Sequence, residues 1–299
     1  MIIAHGTILG GLSTVPDLDN AIVAYRDVLQ LELIERGVVD VALATSWGCP
    51  GNAGSPCAIL RPTSGEGCWF RLVEQSAHPA FHANRSYGWA AFEVVVKNVW
   101  HWAEALPPDL FTIAGPPKNL KNMKPAFIPM QVLGTGQEML YLNQVLGDLP
   151  ETDLPRANAD VDRIFIVILA SADREASAAW YSKRIGLDRA SDYTLPYSMI
   201  NRAFDLPADY LSTITMMQSG RMPIVEIDDY PHEAVVRARF EGMLPPANAL
   251  VTLAVRNLSD CDVDWIAPPA VHGGVMYEGR RAASTLGPSG ELLELVEVG

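Results

Sequence analysis

VPDLDNAIVAYRDVLQLELIERG (15–37) and SADREASAAWYSKRIGLDRASD (171–192) are two copies of one pattern. In each, an apolar strand runs into an aspartate, Asp17 or Asp173, and a tyrosine follows eight residues later, at Tyr25 or Tyr181. In the first copy Ala21, Ile22, Tyr25, Val28 and Leu29 recur at the spacing that buries one side of a helix, and Asp17 or Asp19 is placed to cap its N-terminus.

Two further strand-to-helix entries, WAAFEVVVKNVWHWAEAL (89–106) and ALVTLAVRNLSDCDVDWI (249–266), carry Asn98 and Asn257 where the first pair carries aspartate. Asp17 and Asp173 stand 156 residues apart and Asn98 and Asn257 stand 159 apart, so a two-unit piece is written twice. Each unit closes on a glycine and an apolar strand: GCWFRLVEQ (67–75), GQEMLYLNQV (136–145), GRMPIVEID (220–228) and GELLELVEV (290–298). Strand, helix and several strands, four times over, predict an α+β chain of four βαβββ modules. LGDLPETDLPRANAD (146–160), rich in Pro, Asp and Asn, reads as the linker between halves. That sets an N-terminal pair at 1–149, with modules at about 1–80 and 86–149, and a C-terminal pair at 160–299, with modules at about 160–230 and 246–299.

Composition narrows the function classes. With 299 residues, 49% hydrophobic and 19% charged, the chain has ample material for a core, and disorder is excluded. No apolar run reaches the ~18 residues of a spanning helix, and MIIAHGTILGGLSTV has no basic residue before its apolar stretch, so no membrane partner and a cytoplasmic location are expected. A net charge of −13 without a basic cluster argues against nucleic acid. Cys49, Cys57, Cys68 and Cys261 fit neither CxxC spacing nor a disulfide scaffold and read as reduced thiols in or near the core.

The four modules, entered by VPDLDNAIVAYRDVLQL and left by GPSGELLELVEV, resemble the vicinal oxygen chelate superfamily of glyoxalases, bleomycin-resistance proteins and extradiol dioxygenases. The resemblance implies that modules pair into two cup-shaped domains, each cup surrounding a site. It also implies metal ligands about seven residues before each helix-opening residue and a glutamate in the last strand of a unit. The first rule lands on Gly10, Ala91, Ile166 and Leu250, none of which binds a metal. The second finds Glu226 and Glu294, while the other last strands offer Arg71 and Leu140 or Tyr141. A two-histidine, one-carboxylate iron site is therefore incomplete, and no cofactor is expected; Fe(II), Mn(II) or Zn(II) enters only through a displaced ligand set.

Strand alternation puts Leu292, Glu294 and Val296 on one face, so a cavity seen by the two apolar residues is seen by Glu294. A carboxylate there needs a cation, a metal or a proton. His272 and Tyr277, in PPAVHGGVMYEGRR, can join Glu294 as a proton-handling catalytic group, or His272 is an exposed loop residue beside a glycine turn. Glu226 can share a proton with Glu294 if the third and fourth modules close one cup, although the following IDDYPHE reads as solvated. Arg71 is a candidate anion anchor, with Trp47, Trp69 and Trp89 as aromatic walls or core, and Tyr141 is a further ligand-binding candidate. His5, the pair His78 and His82, and His101 read as structural, linker and helix-face residues ahead of any metal role. The expected function is action on, or binding of, a small aromatic or carbonyl compound. The alternatives are a non-catalytic antibiotic- or aromatic-binding protein and an atypical metal-dependent dioxygenase or lyase. Small molecules, and a second copy in a homodimer, are the partners expected.

Overall fold

The computed structural model describes residues 3–119 and 127–299. The first module runs β1 (Ile8–Val15), α1 (Leu18–Ile22) continued by a π turn (Val23–Val28), β2 (Glu32–Val38), α2 (Val41–Ser46), β3 (Pro56–Arg61) and β4 (Trp69–Glu74). The second comprises β5 (Gly88–Val96), α3 (Val99–Ala105), β6 (Thr112–Gly115), β7 (Phe127–Leu133) and β8 (Met139–Val145). The third comprises β9 (Val161–Ser171), α4 (Arg174–Trp180) with a π turn (Tyr181–Ile185), β10 (Asp188–Pro196), α5 (Ser198–Ala203), β11 (Leu211–Ser219) and β12 (Met222–Asp229). The fourth holds β13 (Ala247–Val255), β14 (Ala270–Val271), β15 (Arg281–Leu286) and β16 (Leu292–Glu297).

Helix entries follow the capping chemistry of the sequence. Asp17 accepts from the Asn20 amide at 2.9 Å, Asn98 from Trp100 at 3.1 Å and Asp173 from Ala176 at 2.9 Å. The fourth entry departs from the pattern. Asn257 turns its amide to Asp260 at 2.8 Å and only a short 3₁₀ turn, Leu258–Asp260, forms. Asp260, Asp262 and Asp264 are poor helix formers, and Pro268 and Pro269 soon follow, so no helical stripe is available there.

The strands make two eight-stranded sheets, ordered β14-β15-β16-β13-β1-β4-β3-β2 and β10-β11-β12-β9-β5-β8-β7-β6. The expected pairing of modules is thereby corrected. The first module pairs with the fourth through antiparallel β1 and β13, and the second with the third through antiparallel β5 and β9. Segment 146–160 therefore joins two modules of one sheet. The crossings between sheets are 75–87 and 230–246, which bind each other through Tyr87 N–H to Val235 O at 3.0 Å and Val235 N–H to Arg85 O at 3.1 Å. The first strands of modules are mainly apolar and almost wholly buried, as central strands are, so apolarity alone does not select which of them pair.

Both sheets share one core that includes Tyr25, Phe92, Trp102, Tyr181 and Leu253. A Cβ on Gly11 would lie 2.5 Å from the Phe92 ring, so β1 approaches the other sheet as closely as only glycine allows. The repeated tyrosines now have a reason. Tyr25 donates to Glu138 at 3.1 Å and Tyr181 to Glu291 at 3.0 Å, each bond running from a module of one sheet to a module of the other.

Candidate functional site

The first sheet curves around a cavity of about 410 Å³ whose walls include Leu12, Trp47, Arg71, Val73, His272 and Tyr277. Arg71 comes from β4, paired with Leu12 of β1, which is itself paired with Leu250 of β13. Thr252 of β13 pairs with Glu294 of β16, so side chains from four central strands converge on one floor. Trp47 ends α2, whose N-terminus is fixed by Asp40 accepting from the Ala42 amide at 2.7 Å. Tyr277 and His272 arrive on the segment between β14 and β15, with ring centroids 5.3 Å apart.

Glu294 is fully buried at 0% exposure and its carboxylate is saturated. One oxygen accepts from Trp47 Nε1 at 2.8 Å and Tyr277 Oη at 2.8 Å; the other accepts from Thr252 Oγ1 at 2.7 Å and faces Arg71 Nη2 at 3.1 Å. Burial by itself would raise this carboxyl, but the Arg71 guanidinium and the hydroxyl and indole donors outweigh it and hold the group below its ordinary range. Arg71 also donates to Tyr277 Oη at 3.1 Å and to Thr252, and lies 5.6 Å over the Trp47 ring. Burial opposes its charge, yet Glu294 and Tyr277 raise its pKa in net, so both partners are ionised. Tyr277 is held well above the usual phenol range by burial and by Glu294 and stays a neutral donor. Arg71 Nε and His272 Nε2 are buried without a partner among the described residues.

The structure thus unites Glu294, Tyr277, His272 and Arg71 in one cup. Glu294 is the counterion of Arg71, so the charge of each is met by the other. His272 is buried, not an exposed loop residue. Of the three tryptophans, Trp47 lines the cavity, whereas Trp89 sits in the core and donates to Leu292 O at 2.8 Å. His5 bonds Ile185 O at 2.8 Å, His78 packs tilted against Phe240 with ring centroids 4.6 Å apart, and His101 is exposed on α3.

Glu226 and Tyr141 belong to the other sheet, so Glu226 and Glu294 do not share a proton. There the Tyr197 hydroxyl lies 3.3 Å from a Glu226 oxygen and 3.2 Å from the Tyr141 hydroxyl, and its single O–H serves one of them at a time. Asp228 is 1% exposed, not solvated, because it lies two residues after Glu226 on the same inward strand face. Burial pushes Glu226 up to about 7. Burial and Glu226 push Asp228 and Glu93 well above the carboxylate range, and Glu93 accepts from Asn143 at 2.5 Å. Met199 and Ile200 of α5 pack in one buried cluster with Tyr141 and Tyr230. Glu93, Thr252 and Asp228 were missed in the sequence; inward alternation from Ala91, Leu250 and Glu226 was the signal that marked them.

The superfamily's metal does not fit the first cup. A Cβ at Gly10 would come within 2.2 Å of the Trp69 carbonyl oxygen, so no side chain of any kind stands there, and Leu250 offers no donor. Glu294, the carboxylate of the closing strand, is bound to a guanidinium. Among the described residues, no group of three or more His, Cys, Asp or Glu is arranged to hold a metal ion.

No family model and no curated protein matches the sequence. Solved structures do match. Glyoxalase I from Zea mays aligns with a TM-score of 0.61 at 17% identity, covering 97% of this chain and 92% of that one. A candidate dioxygenase from Bacillus subtilis subsp. subtilis str. 168 aligns with a TM-score of 0.60 at 11% identity, covering 99% and 86%. The chain therefore shares the overall fold of these two structures, with its four modules arranged in two eight-stranded sheets. No described helix is long and apolar enough to cross a membrane.

Proposed function

We propose that this chain, built on the vicinal oxygen chelate fold, takes up a small aromatic or carbonyl compound in the cup of the first sheet and needs no metal there. The observation that carries the reading is the Arg71–Glu294 pair at 3.1 Å on the cup floor. The guanidinium, its charge met by Glu294, supplies fixed N–H donors, while Trp47, Leu12 and Val73 provide apolar wall and His272 and Tyr277 polar groups. Every group on the floor is held by another, which suits binding. A second reading, metal-free turnover, is favoured by His272, whose Nε2 is buried, unpartnered and at the cavity. An imidazole placed so can move a proton to or from a ligand oxygen.

The test is metal content of anaerobically purified chain together with melting temperature against aryl ketones and phenols. The expected result is a melting-temperature rise that chelator treatment leaves unchanged. A stoichiometric metal whose removal abolishes ligand stabilisation overturns the proposal. Turnover that disappears in His272→Gln while ligand stabilisation persists selects the enzyme reading.

A further inference from the structure

We infer that the occupant of the first cup is uncharged, with a hydrogen-bond acceptor oxygen at its inner end and an apolar body at the mouth, and that anions are rejected; this rests on the binding reading above. The charge census of the cavity carries the inference. Arg71 is neutralised by Glu294 at 3.1 Å, so it offers donors without a net charge to satisfy. The other ionisable acids along the wall are Glu35 and Asp40, both exposed at the rim. Asp40 is fixed there as the cap of α2, and a Cβ on Gly274, in the loop after His272, would meet a Glu35 oxygen at 3.8 Å. An entering carboxylate meets two like charges and then competes with Glu294 for Arg71.

The polar end of the ligand is specified as closely. A guanidinium has five N–H donors; three of those on Arg71 face Tyr277, Thr252 and Glu294, and Nε–H has no partner among the described residues. His272 Nε2 is likewise buried without a partner among the described residues. A carbonyl or phenol oxygen satisfies these groups without bringing charge. The outer end meets Val38, 63% exposed, and Val271, 65% exposed, both of which line the cavity. Valines so exposed at the mouth gain burial from an apolar body seated between them.

The cup contains its own reporter. Cys57 lines the cavity and is partly exposed, whereas Cys49, Cys68 and Cys261 are buried. Alkylation of Cys57 by iodoacetamide, read by mass spectrometry, is measured with 2-naphthamide or 2-naphthoate, probes of one shape that differ in charge. The expected result is protection by naphthamide and protection weaker by about tenfold or more with naphthoate, the scale of one poorly screened like charge. The double variant Glu35→Gln, Asp40→Asn is expected to narrow that gap by strengthening naphthoate alone. Equal or better protection by naphthoate overturns the charge inference and leaves the binding site standing. Failure of both probes to protect Cys57, with no melting-temperature rise from aryl ketones or phenols, overturns the site as well.

Discussion

Glu294→Gln probes the floor of the cup most directly. Each carboxylate oxygen accepts two donors, Trp47 and Tyr277 on one, Thr252 and Arg71 on the other. The hydroxyls of Tyr277 and Thr252 can turn away from a glutamine NH₂, but the indole and guanidinium N–H groups cannot. Whichever way the amide is placed, it opposes Trp47 or Arg71, and Arg71 keeps a buried charge without a counterion. Breaking one side of a buried pair costs about 3–5 kcal/mol, and the orphaned donor overlaps with that figure, so the expected loss is about 3–5 kcal/mol. Urea unfolding near neutral pH, followed by tryptophan fluorescence, reads the shift in midpoint. The double variant Arg71→Met, Glu294→Met removes both charges and is expected to recover most of the loss. The folded carboxyl lies below its ordinary range, so its contribution is complete above the unfolded value and is lost as pH falls through the folded one. The single variant accordingly lacks that component of acid destabilisation. A cost under about 1 kcal/mol, or a double variant no better than the worse single one, refutes the floor as described.

The second sheet carries the opposite pH sign. Glu226 is raised by burial to about 7, and burial and Glu226 hold Asp228 and Glu93 well above the carboxylate range, so the folded state holds protons that the unfolded state has released. Stability is greatest at or below the ordinary carboxylate range and falls as pH rises towards about 7; Glu226→Gln is expected to flatten that fall in unfolding measurements between those limits. Glu138 and Glu291, also raised to about 7 by burial, titrate with the same sign. Tyr25→Phe and Tyr181→Phe are each expected to cost about 1–3 kcal/mol by denaturant unfolding, since each leaves a buried carboxyl short of a donor; losses near zero contradict the ties between sheets. Gly10→Ala is expected to lower the melting temperature sharply, because its Cβ would meet a main-chain oxygen at 2.2 Å; an unchanged melting temperature contradicts the close packing of β1 on β4.

Local patterns carried much of this protein into the sequence. Strand alternation and glycines before closing strands write the four modules, and capping residues the helix entries of the first three, because each depends on neighbours within a few residues. Alternation likewise placed Glu294 on the face of Leu292, and its need for a partner was legible there. The partner was not: Arg71 lies 223 positions away (294 − 71) in another module, and only the pairing of β1 with β13 brings the two together. Which modules pair depends on the packing of apolar first strands that look alike in sequence, down to Gly11 against Phe92. The absence of a histidine at Gly10 could be read directly; that not even a Cβ fits there, and that a guanidinium pairs with the glutamate instead, was decided by tertiary structure, because charge compensation and steric room belong to neighbours in space.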